Sequence, residues 1–239
     1  SPGTFKSSSE LEHLGYSPQL VQIYVKSGWL HPVSHGVYAL ANSKTDWQSY
    51  VQLLCSTTDA QLHVGGLTAL ELQGKAHYIR FNQNTIELFA KEGFRKPSIK
   101  KKISDKRLVF YTTNKIDFGL PKSIVKFQSD GLVFPCSSPE LAILEFFYLM
   151  PRIHSFEEAY YLVESLPALR PKLLNALLSR VESVKVTRAF LYIARTVNHT
   201  WYEELDVMQM NLGKGKRSLV SGGKYDSEFR ITVPAENYE

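Results

Sequence analysis

The chain is poor in cysteine, with only Cys55 and Cys136 among its 239 residues. These two lie far apart and match no metal-ligand spacing, which argues against a disulfide scaffold and against a cysteine-rich zinc site. Buried free thiols fit a reducing compartment, so we expect a cytoplasmic protein.

Long apolar runs are also missing. A membrane-spanning helix needs roughly 20 apolar residues, and the longest run here, residues 141–150, is interrupted by Glu145. The amino terminus carries no signal-peptide pattern. The sequence therefore predicts no contact with a membrane.

The known catalytic motifs are absent: there is no nucleophile elbow, kinase signature, zincin motif or acid pair with a catalytic spacing. His31 and His35 are four residues apart, but Pro32 between them favours a β-hairpin over a helix, and no third metal ligand is evident. Residues 213–218 are glycine-rich and basic, but they lack the spacing of a phosphate-binding P-loop. We predict a non-enzymatic protein without catalytic residues, bound metal or cofactor.

A strong charge of one sign is lacking too. The 28 lysines and arginines exceed the 23 acids by five, and the pI is about 9.0. This excess is compatible with a polyanionic partner, although many enzymes carry as much. The 44% hydrophobic content is sufficient for a substantial core.

The first 42 residues have the pattern of a winged helix-turn-helix. A helix begins in the serine run before Glu10 and ends at Gly15, and a second begins at Ser17, with Pro18 in its first turn, and ends at Gly28. Two short strands, 29–31 and 37–40, follow, with a turn over residues 32–36. Helix, turn, helix and hairpin in this order predict a small DNA-binding domain.

The second helix carries the candidate DNA-binding residues. At roughly 100° per residue, Gln19, Gln22 and Lys26 lie on a narrow polar arc opposite the apolar face, and Ile23 lies at the border of that face. Glutamine and lysine can bind base edges and phosphates. An ordinary amphipathic helix would show a similar arc. With the helix cap and the tip of the wing, the predicted DNA-binding residues are Ser17, Gln19, Gln22, Lys26, Ser34 and His35.

The sequence as a whole predicts an α+β fold. The winged helix-turn-helix in residues 1–42 is followed by a mixed α/β domain with a helical C-terminal part in residues 43–239. Short strands, including 76–81 and 85–90, and alternating apolar and polar residues over 98–134 indicate a sheet-rich stretch over 60–135. A helix-start signal at Ser138-Pro139 opens a helical stretch over 138–206, and a basic tail over 211–239 holds one strand.

Two basic segments are candidates for a polyanion or partner contact. The first crowds its cations into thirteen positions with Asp105 as the only acid, and the second is the glycine-rich segment near the carboxyl terminus. A solvated loop or a protected strand edge would explain the first equally well. The residues are Arg95, Lys96, Lys100, Lys101, Lys102, Lys106, Arg107, Lys214, Lys216 and Arg217.

Several segments, in the same order along the chain, resemble AbiEi-family antitoxins: LGYSPQL (14–20), YVKSGWL (24–30), HGVY (35–38), HVGGLTALELQG (63–74), NLGKGKR (211–217) and GGKY (222–225). The resemblance implies the antitoxin of a bacterial type IV toxin–antitoxin, or abortive-infection, system. It implies a winged-helix domain that binds double-stranded DNA at repeats in its own promoter and represses its operon. It also implies a larger domain that counteracts an AbiEii-like nucleotidyltransferase toxin, either directly or by opposing the toxin's effect.

One departure from the family pattern concerns the start of the chain. Members carry a helix before the segment that corresponds to Ser1-Pro2-Gly3, so we expect the first helix of the winged domain to be missing from this sequence. Two alternatives remain beside the antitoxin: a nuclease-like enzyme that uses the winged helix to dock on DNA, and a winged helix used only for protein contact.

Overall fold

The computed structural model describes residues 5–41, 43, 46–76, 84–98 and 106–235. The predicted strand at 76–81 lies almost entirely outside these residues. The chain forms two compact units, composed respectively of residues 1–63, 82–112 and 126–135, and of residues 64–81, 113–125 and 136–239. The predicted boundary after residue 42 stays a prediction.

The amino-terminal elements follow the predicted order, with one additional strand at the start. They are β1 (Phe5–Ser7), α1 (Ser8–His13), α2 (Pro18–Lys26), β2 (Leu30–Ser34), β3 (Val37–Leu40) and α3 (Trp47–Ser56). The three strands pair antiparallel in the order β1-β3-β2, with Phe5 opposite Ala39. The buried ring of Phe5 meets that of Tyr50 in α3 edge-on, at a centroid distance of 5.4 Å. Because β1 is only three residues long, its pattern is too short to predict from the sequence.

Where it is described, the middle of the chain supplies a five-stranded sheet and one helix. Its elements are β4 (His63–Val64), α4 (Gly66–Leu72), β5 (Thr85–Ala90), β6 (Arg107–Thr112), β7 (Ile124–Ser129) and β8 (Leu132–Ser137). The strand order is β6-β5-β4-β8-β7, and the pairs β5–β6 and β4–β8 are parallel. The predicted sheet-rich stretch is therefore present.

The second unit is mainly helical after β8. Its helices after β8 are α5 (Pro139–Leu149), α6 (Phe156–Glu164), α7 (Pro171–Leu178), α8 (Val184–Val197) and α9 (Thr200–Glu203), followed by a 3₁₀ turn at Val207–Gln209. Ser138 caps α5 by accepting a hydrogen bond from the backbone N–H of Leu141, at 3.4 Å. A three-stranded sheet of order β10-β11-β9 ends the chain: β9 (Arg217–Ser218), β10 (Lys224–Asp226) and β11 (Ile231–Val233). The predicted α+β class is confirmed.

Glu145 lies fully buried in the apolar helix α5 and ties two segments together. Its carboxylate accepts hydrogen bonds from the backbone N–H of Gly66 and from the hydroxyl of Ser137, both at 2.8 Å. Gly66 has a φ of +53°, in the left-handed region that favours glycine. The Val-Gly-Gly segment thus opens α4 at a backbone conformation that a buried carboxylate holds in place.

A second buried carboxylate, Glu140, joins α5 to the start of α7. It accepts hydrogen bonds from Nε and Nη2 of Arg170, at 3.0 and 2.7 Å, and from the backbone N–H of the same residue. Burial acts to raise the pKa of Glu140, but the hydrogen bonds and the charge of Arg170 outweigh it and hold that pKa below its ordinary value. Removing the arginine would leave a buried carboxylate without its partner.

Arg170→Met is expected to lower the free energy of unfolding at neutral pH by about 3 kcal/mol. Because the folded-state pKa of Glu140 is lowered, its contribution is complete above the unfolded value and is lost as the pH falls through the folded one. Denaturant unfolding of both proteins between pH 7 and pH 3 checks this, and the difference should shrink towards the acid end. Arg180→Met removes an exposed pair with Asp117 and serves as the control, expected to cost less than about 1 kcal/mol. Equal losses in the two variants would contradict the assignment.

Candidate nucleic-acid interface

Helix α2 is defined at both ends by local sequence, as predicted. The hydroxyl of Ser17 accepts a hydrogen bond from the backbone N–H of Leu20, at 3.3 Å, and Pro18 occupies the first helical position. Gly28, just beyond the carboxyl end, has a φ of +78°. The predicted cap is therefore present, and the Ser17 hydroxyl is engaged in it.

One face of α2 is anchored in the core of the winged helix. Val21 is buried together with Leu11 of α1 and Leu30 of β2, and Tyr24 packs against this cluster. This contact fixes the rotation of the helix, so the opposite face is turned to solvent.

The exposed face of α2 carries the predicted residues and one more. Gln19, Gln22 and Lys26 are all exposed, as predicted. Ile23 is 58% exposed among them, although the sequence pattern placed it at the border of the apolar face. On the helical projection Ile23 lies only about 40° from Gln19, and this proximity could have predicted its exposure. An isoleucine methyl group can pack on the methyl group of thymine.

The turn of the wing is shorter than predicted, and this changes the place of Ser34. Strand β2 continues through Pro32 to Ser34, so the turn consists of His35 and Gly36 alone. Proline is tolerated here because β2 is the edge strand and its register shifts between Pro32 and Ser34. His35 is exposed at the tip as predicted, whereas Ser34 is only 4% exposed. A buried hydroxyl is not accessible to DNA, so Ser34 does not belong to the exposed surface of the wing.

The wing turn is braced against the first helix. Gly36 has a φ of +66°, and its carbonyl oxygen accepts a hydrogen bond from the backbone N–H of Ser8, at 2.8 Å. A Cβ at Gly36 would lie 3.3 Å from Oγ of Ser8. The tip that presents His35 is therefore held by backbone geometry as well as by strand pairing.

In the described part of the winged helix, few cations are free to neutralise phosphates. Nζ of Lys6 lies 3.4 Å from Oε1 of Glu10, in an exposed ion pair four residues apart. Partial burial acts to raise the pKa of Glu10, but the backbone N–H of Ser7 and the charge of Lys6 hold it below its ordinary value. Glu12 is a second exposed acid. Phosphate contacts supply much of the affinity for duplex DNA, so this domain alone should bind weakly.

The described cations of the first basic segment are exposed. Arg95, Lys96, Lys106 and Arg107 are all exposed, and Lys96 Nζ lies 5.8 Å from the ring centroid of Phe110. Lys100, Lys101 and Lys102 lie outside the described residues. The segment keeps its role as a candidate polyanion contact.

The second basic segment is held in place by a buried arginine that the sequence did not single out. Arg188 of α8 is fully buried and donates hydrogen bonds to four backbone carbonyl groups, those of Leu212, Gly213, Gly215 and Arg230, at 2.6 to 3.1 Å. Lys214, Lys216 and Arg217 project from this segment and are exposed. Helical projection places Arg188 on the side of α8 opposite its apolar stripe, so the sequence pattern carried no signal of its burial.

The described residues contain no group of three or more His, Cys, Asp or Glu side chains that could hold a metal ion. Burial raises the pKa of Cys55 and, together with the charge of Glu145, that of Cys136 to about 12. Both thiols are therefore protonated at neutral pH, which does not suit a cysteine nucleophile. Over the same residues, every helix is too short or too polar to span a membrane.

Two family models together match nearly the whole chain. Residues 1–81 match the model described as "Transcriptional regulator, AbiEi antitoxin N-terminal domain". Residues 83–234 match the model described as "Transcriptional regulator, AbiEi antitoxin, Type IV TA system". No curated protein sequence matches the chain.

A solved structure is similar in fold. The RV2827C protein from Mycobacterium tuberculosis superposes with a TM-score of 0.62 at 13% sequence identity, covering 95% of this chain and 85% of that one. At this identity the likeness concerns the fold alone. The family matches carry the assignment: the chain belongs to the AbiEi antitoxins, the transcriptional regulators of type IV toxin–antitoxin systems.

Proposed function

We propose that this antitoxin represses its own operon by placing α2 in the major groove of repeats in its promoter. The observation that carries the proposal is the exposed face of Gln19, Gln22, Ile23 and Lys26 on the second helix of a helix-turn-helix, opposite an anchored apolar face. In winged helices that bind DNA, this helix is the one that enters the major groove.

Each side chain on that face has a partner in duplex DNA. A glutamine amide can donate a hydrogen bond to N7 of adenine and accept one from the N6 amino group. A lysine can bind the acceptors of guanine or a phosphate. The exposed apolar Ile23 suits the methyl group of thymine. The amino terminus of α2, capped by Ser17, favours a phosphate, and His35 at the wing tip can approach the backbone or the minor groove.

The small number of cations on the winged helix calls for additional contacts. One source is a second copy of the protein on an adjacent repeat, which doubles the phosphate contacts. Another is the first basic segment, whose described members Arg95, Lys96, Lys106 and Arg107 are exposed. Either source makes binding steeply dependent on salt concentration.

The toxin partner follows from the family rather than from a contact in this structure. We propose that the cognate toxin is of the AbiEii nucleotidyltransferase-like type, and that the part of the chain beyond the winged helix counteracts it without catalysing a reaction. Expression of the chain should then restore growth to cells that express the neighbouring toxin gene. Failure of rescue, with promoter binding intact, would separate the regulator from the antitoxin role.

An electrophoretic shift assay tests the repressor role. The chain should shift duplex DNA from directly upstream of its own coding sequence at about 0.1 M salt, and a scrambled duplex of equal length and composition should need on the order of a thousandfold more protein. The binding constant for the upstream duplex should also fall steeply as salt rises. Equal affinity for the two duplexes would overturn sequence-specific repression.

A further inference from the structure

The short sheet at the carboxyl end presents a polar row with an aromatic side chain at its edge. In the register of β9, β10 and β11, Tyr225 lies opposite Thr232, and Thr232 lies opposite Ser218. The three side chains therefore share one face of the sheet. The alternate residues of β11, Ile231 and Val233, are buried on the other face, whereas the Tyr225 side chain is 41% exposed.

Cations surround this row, which we call the tail face. Lys216 Nζ lies 5.0 Å from the ring centroid of Tyr225, so a positive charge and an aromatic surface are adjacent. Four further cations of the tail are exposed: Lys214, Arg217, Lys224 and Arg230.

The two acids of residues 211–235 are engaged by another cation. Asp226 lies 2.6 Å from Nη2 of Arg195 in α8, and Glu228 pairs with the Nη1 group of the same arginine. Residues 211–235 hold five lysines and arginines against these two acids. The tail face therefore presents an excess of positive charge.

The tail face is also ordered before any ligand binds. Arg188 fixes the preceding segment through four backbone carbonyl groups, and Arg195 packs over the ring of Phe229, at 4.9 Å from its centroid. A surface that is already in its bound conformation loses less conformational entropy on binding.

We propose that the tail face binds single-stranded nucleic acid, with a base stacked on Tyr225 and the flanking phosphates on Lys214 and Lys216. An exposed aromatic ring beside lysines is the arrangement that binds unpaired bases and backbone together. Duplex DNA would not use the ring, because its bases are stacked on one another. An acidic protein would use the lysines and gain little from the ring. The inference does not depend on operator binding by α2.

Fluorescence anisotropy with the full chain tests the proposal. The probes are a labelled 12-nucleotide uridine RNA, its thymidine DNA counterpart, and a duplex of random sequence. Tyr225→Leu should weaken binding to both single strands about tenfold, because the stacked base loses its aromatic partner. Tyr225→Phe should bind as the wild type does. Tyr161→Leu, which changes a similarly exposed tyrosine of α6, is the matched control and should have no effect.

The lysines give an independent readout. The double substitution Lys214→Ser and Lys216→Ser should reduce the slope of log affinity against log salt by about 1.4, or roughly 0.7 for each phosphate contact. Lys172→Ser, at an exposed lysine of α7, should leave the slope of log affinity against log salt unchanged.

Three results would overturn the proposal. The first is wild-type affinity of Tyr225→Leu for both single strands. The second is a random duplex that binds as tightly as the single strands and responds equally to Tyr225→Leu. The third is absence of single-strand binding while a polyglutamate peptide binds, which would make the tail face a protein contact. Tyr225→Leu should leave the operator shift intact, so failure here is distinguishable from failure of the repressor role.

Discussion

Simultaneous replacement of Gln19, Gln22 and Lys26 by alanine is expected to abolish the operator shift at moderate salt. A good bidentate contact between a side chain and a base contributes about 1–3 kcal/mol of discrimination, and the lysine adds a phosphate or guanine contact. Losing these contacts together should weaken operator binding on the order of a hundredfold or more. Alanine is the best helix former, and all three side chains are exposed, so α2 should fold as before.

A matched variant distinguishes loss of base contacts from a general loss of polar surface. Lys126 and Gln128 are exposed on β7, outside the helix-turn-helix, and their replacement by alanine should leave the shift unchanged. Circular dichroism and the denaturant midpoint should show that both variants are folded. If the folded triple variant bound the operator as the wild type does, α2 would not be the recognition helix.

Arg188→Leu is expected to lower the free energy of unfolding of the second unit by about 4 kcal/mol, since hydrogen bonds from a charged donor contribute more than neutral ones and unsatisfied carbonyl groups add to the cost. Leucine fills part of the buried volume but donates no hydrogen bond. Four carbonyl groups around the basic segment would lose their donor. The tail should then detach from α8 before the rest of the unit unfolds.

Hydrogen exchange and limited proteolysis measure this directly. In Arg188→Leu, the amides of residues 211–235 should exchange faster and trypsin should cleave at Lys214, Lys216 or Arg217 first. The exposed Arg180→Leu is the control and should behave as the wild type does. A tail that stays protected in Arg188→Leu, with an unchanged unfolding midpoint, would show that the carbonyl contacts do not hold it.

The features predicted from sequence are those that neighbouring residues determine. Ser17, Pro18 and Gly28 define α2 because a cap, a fixed proline φ and a positive φ act within one turn of the helix. Strand β5 also lies where the sequence predicts a short strand, at residues 85–90. Local chemistry was sufficient in these cases.

The features that were missed depend on residues distant in sequence. Arg188 donates hydrogen bonds to carbonyl groups 24 to 42 residues away in sequence. Glu145 accepts a hydrogen bond from the backbone N–H of Gly66, 79 residues away. Ser34 is buried because β2 continues past Pro32 as an edge strand, which depends on how β3 pairs on its other side. Patterns of period two or 3.6 carry no information about such partners.

The exposed face of α2 was predicted in part for the same reason. Helical projection places Gln19, Gln22 and Lys26 on one arc without any tertiary information. The exposure of Ile23 depends on which side of α2 meets Leu11 and Leu30, and this contact exists only in the folded domain. The exposed face of α2 is therefore more apolar than its sequence pattern suggested.

Methylation protection on the promoter tests most directly the claim that α2 reads the major groove. Dimethyl sulfate methylates N7 of guanine in the major groove and N3 of adenine in the minor groove, so it reports which groove the protein covers. The claim predicts that the wild-type protein protects guanine N7 positions within the promoter repeats, and that the triple variant at Gln19, Gln22 and Lys26 loses this protection. A shifted complex in which every guanine N7 remained reactive would contradict it.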